Sequence, residues 1–183
     1  IKRDKKVDKL ESEIIEQAVQ VLALRAPRAE DLRLVLVIQK IATILERMGD
    51  YARNTANRTK VILAEGPDVV PVDEFRQIAS LTTEMLTDVM TAFDTVDAEL
   101  AIKVRNSDVM VDKLHTKIHR NVVKAVQENP EQTVANVHLL FIAKNFERIG
   151  DYATGIAEQV YFLANGKFVD EFRPKADKTS WNA

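Results

Sequence analysis

The 183-residue chain contains no cysteine. Disulfides, thiolate metal sites and cysteine nucleophiles are therefore excluded, and a reducing compartment is the natural setting. Five glycines and five prolines leave few backbone breaks, which favours long helices over many short strands. No apolar run reaches the roughly 18–20 residues that span a bilayer, and no secretory leader precedes the fold. Charge of one sign is also lacking: the formal net charge is −2, without the basic excess of a nucleic-acid binder. What remains is 46% apolar and 30% charged residues. That balance gives a core of useful size under well-solvated helix faces.

The breakers Ala26-Pro27, Gly66-Pro67 through Pro71, Asn129-Pro130 and Asn165-Gly166 divide the chain. Between them, apolar residues recur at helical spacing, which predicts helices over 3–25, 29–65, 73–105, 107–128 and 132–165. Beyond Lys167 the pattern stops. Phe168, Phe172 and Trp181 predict that this tail docks by its aromatic rings.

Aligned with itself, the chain repeats. IATILERMGDYARNTAN from Ile41 matches IAKNFERIGDYATGIAE from Ile142, pairing Glu46 with Glu147, Arg47 with Arg148, Gly49 with Gly150, Asp50 with Asp151 and Tyr51 with Tyr152. A second match pairs Asp4 with Asp108, Asp8 with Asp112, Leu10 with Leu114 and Ile14 with Ile118. The helix over 73–105 has no counterpart. The expected architecture is all-α: two tandem three-helix bundles, the first lacking its first helix. Residues 1–66 form the first repeat, 72–166 the second and 167–183 a tail. The two-helix repeat exposes an apolar face, which predicts cover by another chain, as in a homodimer, or by swapped packing.

Roughly 100° of turn per residue places Glu46, Asp50, Asn54 and Asn57 within an arc of about 80°. Glu147, Asp151 and Glu158 share the equivalent stripe, with Gly155 in place of an oxygen donor. Asp4, Asp8 and Glu11 line one face of the first helix, and Asp108, Asp112 and His115 line its counterpart, extended by His119. Ile38, Ile41, Leu45 and Ala52 point toward the core instead. If the stripes within a repeat face one another, like charges converge, and one response is to bind a cation. Oxygen donors suit Mg²⁺, Mn²⁺, Ca²⁺ or iron, and a histidine admits Zn²⁺ or Fe²⁺. Against this stands the bland alternative of solvated acidic faces, which weakens once the same acids recur in both copies.

Arg47 and Arg148 either pair with acids across the helices or meet an anionic partner. Gly49 and Gly150 lie inside helices at a cost of about 1 kcal/mol relative to alanine, which suggests close helix approach. Tyr51 and Tyr152 read as packing residues, and His138 and His119 as structural ones.

The doubled element, ERMGDYARNTAN and ERIGDYATGIAE, resembles the signature of the PhoU family, as do the D-x-x-V-D-K-L element and the stretch LAIKVRNSD from Leu100. The similarity covers most of residues 1–166. It implies a cytoplasmic, non-enzymatic negative regulator, peripheral at the inner membrane through its partners. Those partners would be the phosphate ABC transporter ATPase and a membrane sensor histidine kinase, between which the family restrains phosphate-starvation signalling. It further implies metal binding through E/D-x-x-x-D pairs, here Glu46/Asp50, Glu147/Asp151, Asp4/Asp8 and Asp108/Asp112, with Mg, Mn, Zn or Fe as the ion. Asn57 in place of the usual terminal Glu, Gly155 in place of Asn and His115 in place of an acid imply that the two sites differ.

The competing function is a metal-dependent, di-iron-like helical enzyme. Such bundles use a Glu-x-x-His pair from each of two helices, and no Glu stands three residues before His115, His119 or His138. HExxH, P-loop and GxSxG patterns are also missing. A third reading, an inert scaffold, would leave the acids without a role.

Overall fold

The computed structural model describes residues 4–65 and 72–179, with side chains for 5–64 and 73–179. The side chain of Asp4, the Gly66–Pro71 break and Trp181 lie outside the described residues. Helix α1 spans Asp4–Arg25, α2 Ala29–Glu65, α3 Val72–Thr95, α4 Ala98–Glu128 and α5 Thr133–Asn165. A single 3-10 turn, Pro130–Gln132, joins the last two, and the described residues contain no strand. The fold is all-α, as the sparse glycine and proline imply.

Four of the five helices end close to where the breakers place them. The exception is the boundary between α3 and α4, which the sequence reading sets at residue 106. The chain instead turns at Val96-Asp97, and α4 runs unbroken through Asn106 and Ser107. The cause is a cap. Asp97 Oδ1 accepts hydrogen bonds from the backbone N–H groups of Glu99 and Leu100, both at 2.9 Å, which satisfies two of the donors a helix start leaves free. Val96 takes the left-handed conformation at φ 52° to make the corner. Asn106 and Ser107 read as breakers by type, yet Ser107 donates back to the Val104 carbonyl at 2.8 Å within the helix.

Helices α3, α4 and α5 form a three-helix bundle. Ile78, Val89, Val104, Val111, Ile118, Ile156 and Val160 are essentially fully buried between them. Across this bundle lies α2, about 55 Å long at 1.5 Å per residue. It runs antiparallel to α5: Arg33 meets Gly166 at one end, Ile44 lies against Gly155, and Arg58 meets His138 at the other. The repeat-equivalent tyrosines Tyr51 and Tyr152 meet each other, ring centroids 5.8 Å apart. The two copies of the ERxGDYA helix therefore cross in a pseudo-symmetric pair. Polar links fasten the crossing. Asn145 Nδ2 donates to Thr55 Oγ1 at 3.1 Å, Arg58 reaches His138 Nδ1 at 3.3 Å, and the Arg58 guanidinium sits 3.9 Å above the Phe141 ring.

Helix α1 packs on α2 alone. Among the described side chains of α1 only Ala18 is buried, and Val19 and Leu24 remain 55% and 80% exposed, so the apolar face expected of the two-helix repeat is present. Ala52, expected in the core, is exposed. Ile41 is buried and Ile38 and Leu45 are half-buried. The difference follows from packing: with two helices rather than three, the flank of α2 that carries Ala52 meets no neighbour.

Candidate functional site: two unequal acidic grooves

In the second repeat, α4 and α5 bring Asp108, Asp112, His115, Glu147 and Asp151 to one groove. Four of these five are buried, which argues against the alternative of a merely solvated acidic face. Asp108 is 0% exposed, Asp112 1%, His115 3% and Glu147 4%. Gly150 makes room for this. A methyl group there would stand 2.7 Å from Asp108 Oδ1 and 3.2 Å from Val111 Cγ1, so the glycine permits α4 and its carboxylate to press against α5. Burial pushes the Asp108 carboxyl up to about 7, with Asp112 and Asp151 adding to the rise and Arg173 opposing it. Burial likewise holds the His115 imidazole below its ordinary range, against the pull of Asp177 and Glu147.

What covers the groove is the chain's own tail. Arg173 reaches Asp108 Oδ2 at 3.1 Å, pairs closely with Asp151 and donates to Thr154 Oγ1. Lys175 Nζ lies 3.5 Å from Asp151. The Ala176 N–H donates to Asp112 Oδ2 at 2.7 Å, and the Lys178 N–H donates to Thr116 Oγ1 at 3.1 Å. Asp177 stands 3.5 Å from His115 Nδ1 and 3.8 Å from Lys144. Lys144 in turn meets Glu147 at 2.8 Å. Further along, the Arg105 guanidinium bridges Glu158 at 3.2 Å and the Glu171 carbonyl at 2.5 Å. Glu158 thus belongs to a clasp on the tail, one arm removed from the aspartates.

The tail docks, but by charge and backbone hydrogen bonds more than by rings. Phe168 stacks on Phe162, centroids 4.4 Å apart, whereas Phe172 is 99% exposed. Arg105, Lys144, Arg173, Lys175 and Asp177 escape the sequence reading. The signal available for the tail was its alternating charge, R-P-K-A-D, at residues 173–177.

The first repeat places the matching acids differently. Asp8 is exposed, and Glu11, Glu46 and Asp50 are half-buried. Glu46 is held above the ordinary carboxylate range, first by burial and then by Asp50, Glu11 and Asp8, so these acids face one another across α1 and α2. Arg53 pairs with Asp50 at 2.7 Å on the same helix. Asn54 and Asn57 are exposed. Gly155, the repeat partner of Asn54, faces Ile44 of α2 and so lies on the α2–α5 contact. Arg148 pairs along its own helix with Asp151 at 3.7 Å and Glu147 at 4.0 Å, not across helices, and Arg47 is exposed.

The donor chemistry suits an oxygen-preferring divalent cation. Its arrangement is another matter. Among the described residues no three His, Asp or Glu side chains are gathered as a metal cage. In the second groove the buried oxygens Asp108 Oδ1 and Asp112 Oδ1 lack hydrogen-bond donors, while a guanidinium holds the central position. The residues fit the ion, and the conformation described here fits a tail.

These features define a class: an all-helical protein built on an internal duplication, with one acidic groove per copy. The PhoU domain model matches residues 1–59 and 75–160. The chain is 41% identical over 171 residues to the phosphate-specific transport system accessory protein PhoU homolog of Zymomonas mobilis, covering 93% of this chain and 72% of that one. Two solved structures share the fold. The crystal structure of PhoU from Pseudomonas aeruginosa gives a TM-score of 0.88 at 34% identity, covering 91% of this chain and 79% of the other. The phosphate transport system regulatory protein PhoU from Streptococcus pneumoniae gives 0.82 at 26% identity, covering 93% and 79%. The chain belongs to the PhoU family, and its role lies in the regulation of phosphate transport.

Proposed function

We propose that the chain is a non-enzymatic negative regulator of phosphate uptake and phosphate-starvation signalling, acting as an adaptor between the phosphate ABC transporter ATPase and a sensor histidine kinase. The carrying observation is family membership: the relative from Zymomonas mobilis is named an accessory protein of phosphate-specific transport. No helix among the described residues is long and apolar enough to cross a membrane. In this reading the protein works at the cytoplasmic face of the inner membrane and reaches it through its partners. Arg47 and Arg148, exposed beside the two acidic grooves, supply cationic contacts to those partners. The grooves tune the docking surface through their charge, and a divalent cation held by Asp108, Asp112, Glu147 and Asp151, or by Asp8, Glu11, Glu46 and Asp50, neutralises them.

The test is co-purification. Tagged protein should retain the transporter ATPase and the kinase sensor region, and R47E/R148E should weaken retention of at least one of them at least fivefold. Failure to retain either partner, with a fully helical circular dichroism spectrum, overturns the adaptor reading.

A further inference from the structure

Three features make the second groove more than a cluster of acids. Asp108 and Asp112 are buried to the last percent, and Asp151 is half-buried beside them. Asp108 Oδ1 and Asp112 Oδ1 lack hydrogen-bond donors although they lie inside the protein, an arrangement that costs about 1–3 kcal/mol per group unless something compensates it. And the compensation comes from outside the bundle, from a segment that leaves the end of α5 at Gly166 and folds back over α4.

Arg173 stands between Asp108 of α4 and Asp151 of α5, bridging the two helices as a metal ion would. Lys175 adds a second positive charge on Asp151. Two backbone N–H groups, Ala176 and Lys178, complete the contact with Asp112 and Thr116. Every described polar contact of the tail with the bundle falls on α4 or α5, and none reaches α2. In the first repeat the corresponding aspartate, Asp50, is met by Arg53 of its own helix at 2.7 Å.

We propose that residues 171–179 are an internal, displaceable occupant of the second groove, and that a divalent cation and this tail exclude each other there. The proposal rests on the cation-binding reading of the grooves and adds a regulatory element to it. With the tail seated, the second groove is closed and charge-balanced, and only the first is open to a cation. When a divalent ion takes the place of Arg173 between Asp108 and Asp151, the tail is released and its R-P-K-A-D segment becomes available at the surface. The two repeats would then differ in when they take up an ion, although their motifs match.

The experiment uses Mn²⁺ and the full chain. Free Mn²⁺ is followed by electron paramagnetic resonance during titration of the wild type, R173Q, and R173Q combined with D151N. Tail protection is followed by hydrogen exchange of residues 171–179 with and without saturating Mn²⁺. R173Q keeps much of the side-chain stem and the neighbouring Pro174, and circular dichroism confirms that the bundle persists. R173Q should bind Mn²⁺ at least tenfold tighter than wild type at one site, and D151N should abolish that gain. In the wild type, saturating Mn²⁺ should raise tail exchange at least tenfold. If wild type and R173Q bind Mn²⁺ alike while the tail stays protected, mutual exclusion is wrong and cation binding stands. If no form binds Mn²⁺ at the second groove, both readings fall.

Discussion

The same residue type carries different weight in the two copies of the repeat. Gly49 and Gly150 align in sequence, yet a methyl group at Gly49 would meet only Val7 Cγ1 at 3.8 Å, whereas one at Gly150 would press on Asp108 and Val111. G49A should therefore be neutral or stabilising by about 0.5–1 kcal/mol, from helix propensity. G150A should cost about 1–3 kcal/mol, because a packed site must shift. Urea unfolding of the two variants reads the contrast, and equal effects would show that the close approach of α4 to α5 is wrongly placed. A second residue-scale test concerns Glu74 on α3, whose carboxylate meets Lys117 Nζ of α4 at 3.1 Å. The side-chain hydrogen bond from Lys117 is the leading cause of its lowered proton affinity. A carboxyl depressed in the fold contributes stability above its ordinary value of 4.5 and loses it as pH falls through the folded value. Lys117 is 58% exposed, so the contribution is small, about 0.2–1 kcal/mol. E74Q should lower the melting temperature slightly at pH 7, and the difference should shrink as pH falls through the folded value.

At the scale of the element, the duplication and the long helices were legible because they are written in period and repeat. Ile41 and Ile142 open two segments in which Glu46, Gly49, Asp50 and Tyr51 match Glu147, Gly150, Asp151 and Tyr152. The structure returns those pairs as two crossing helices joined at Tyr51 and Tyr152. The break between α3 and α4 was misplaced by about ten residues. Its signal, a lone aspartate before Ala98-Glu99, is weaker than a proline or glycine, and its strength depends on backbone geometry that only the corner at Val96 creates. D97A should remove the cap and cost about 1 kcal/mol. Thermal unfolding measures it, and D97N should recover most of the loss because asparagine caps nearly as well. An unchanged melting temperature in D97A would contradict the cap.

At the scale of the whole molecule, the acidic stripes could be read but not their depth. Spacing places Asp108, Asp112 and Asp151 on facing stripes, and it cannot say whether solvent or protein lies above them. Here a segment some twenty residues past Asp151 in the chain covers them, a long-range contact that no helical periodicity encodes. The result is a protein whose two halves share a motif and differ in state: one acidic groove half-buried and open, the other sealed by the chain's own cations. Phosphate-transport regulation by such a molecule would draw on that difference, since only the sealed groove can release a segment when its occupant changes.

The most direct check needs no metal and no partner. Amide hydrogen exchange, read by mass spectrometry on the intact chain, reports whether the Ala176 N–H is held by Asp112. Residues 171–179 should exchange at least tenfold more slowly than an unstructured peptide of the same sequence, and D112A, which leaves no acceptor for the Ala176 N–H, should remove most of that protection while the bundle stays helical. Exchange at the unstructured rate in the unmodified chain would mean that the tail does not close the groove.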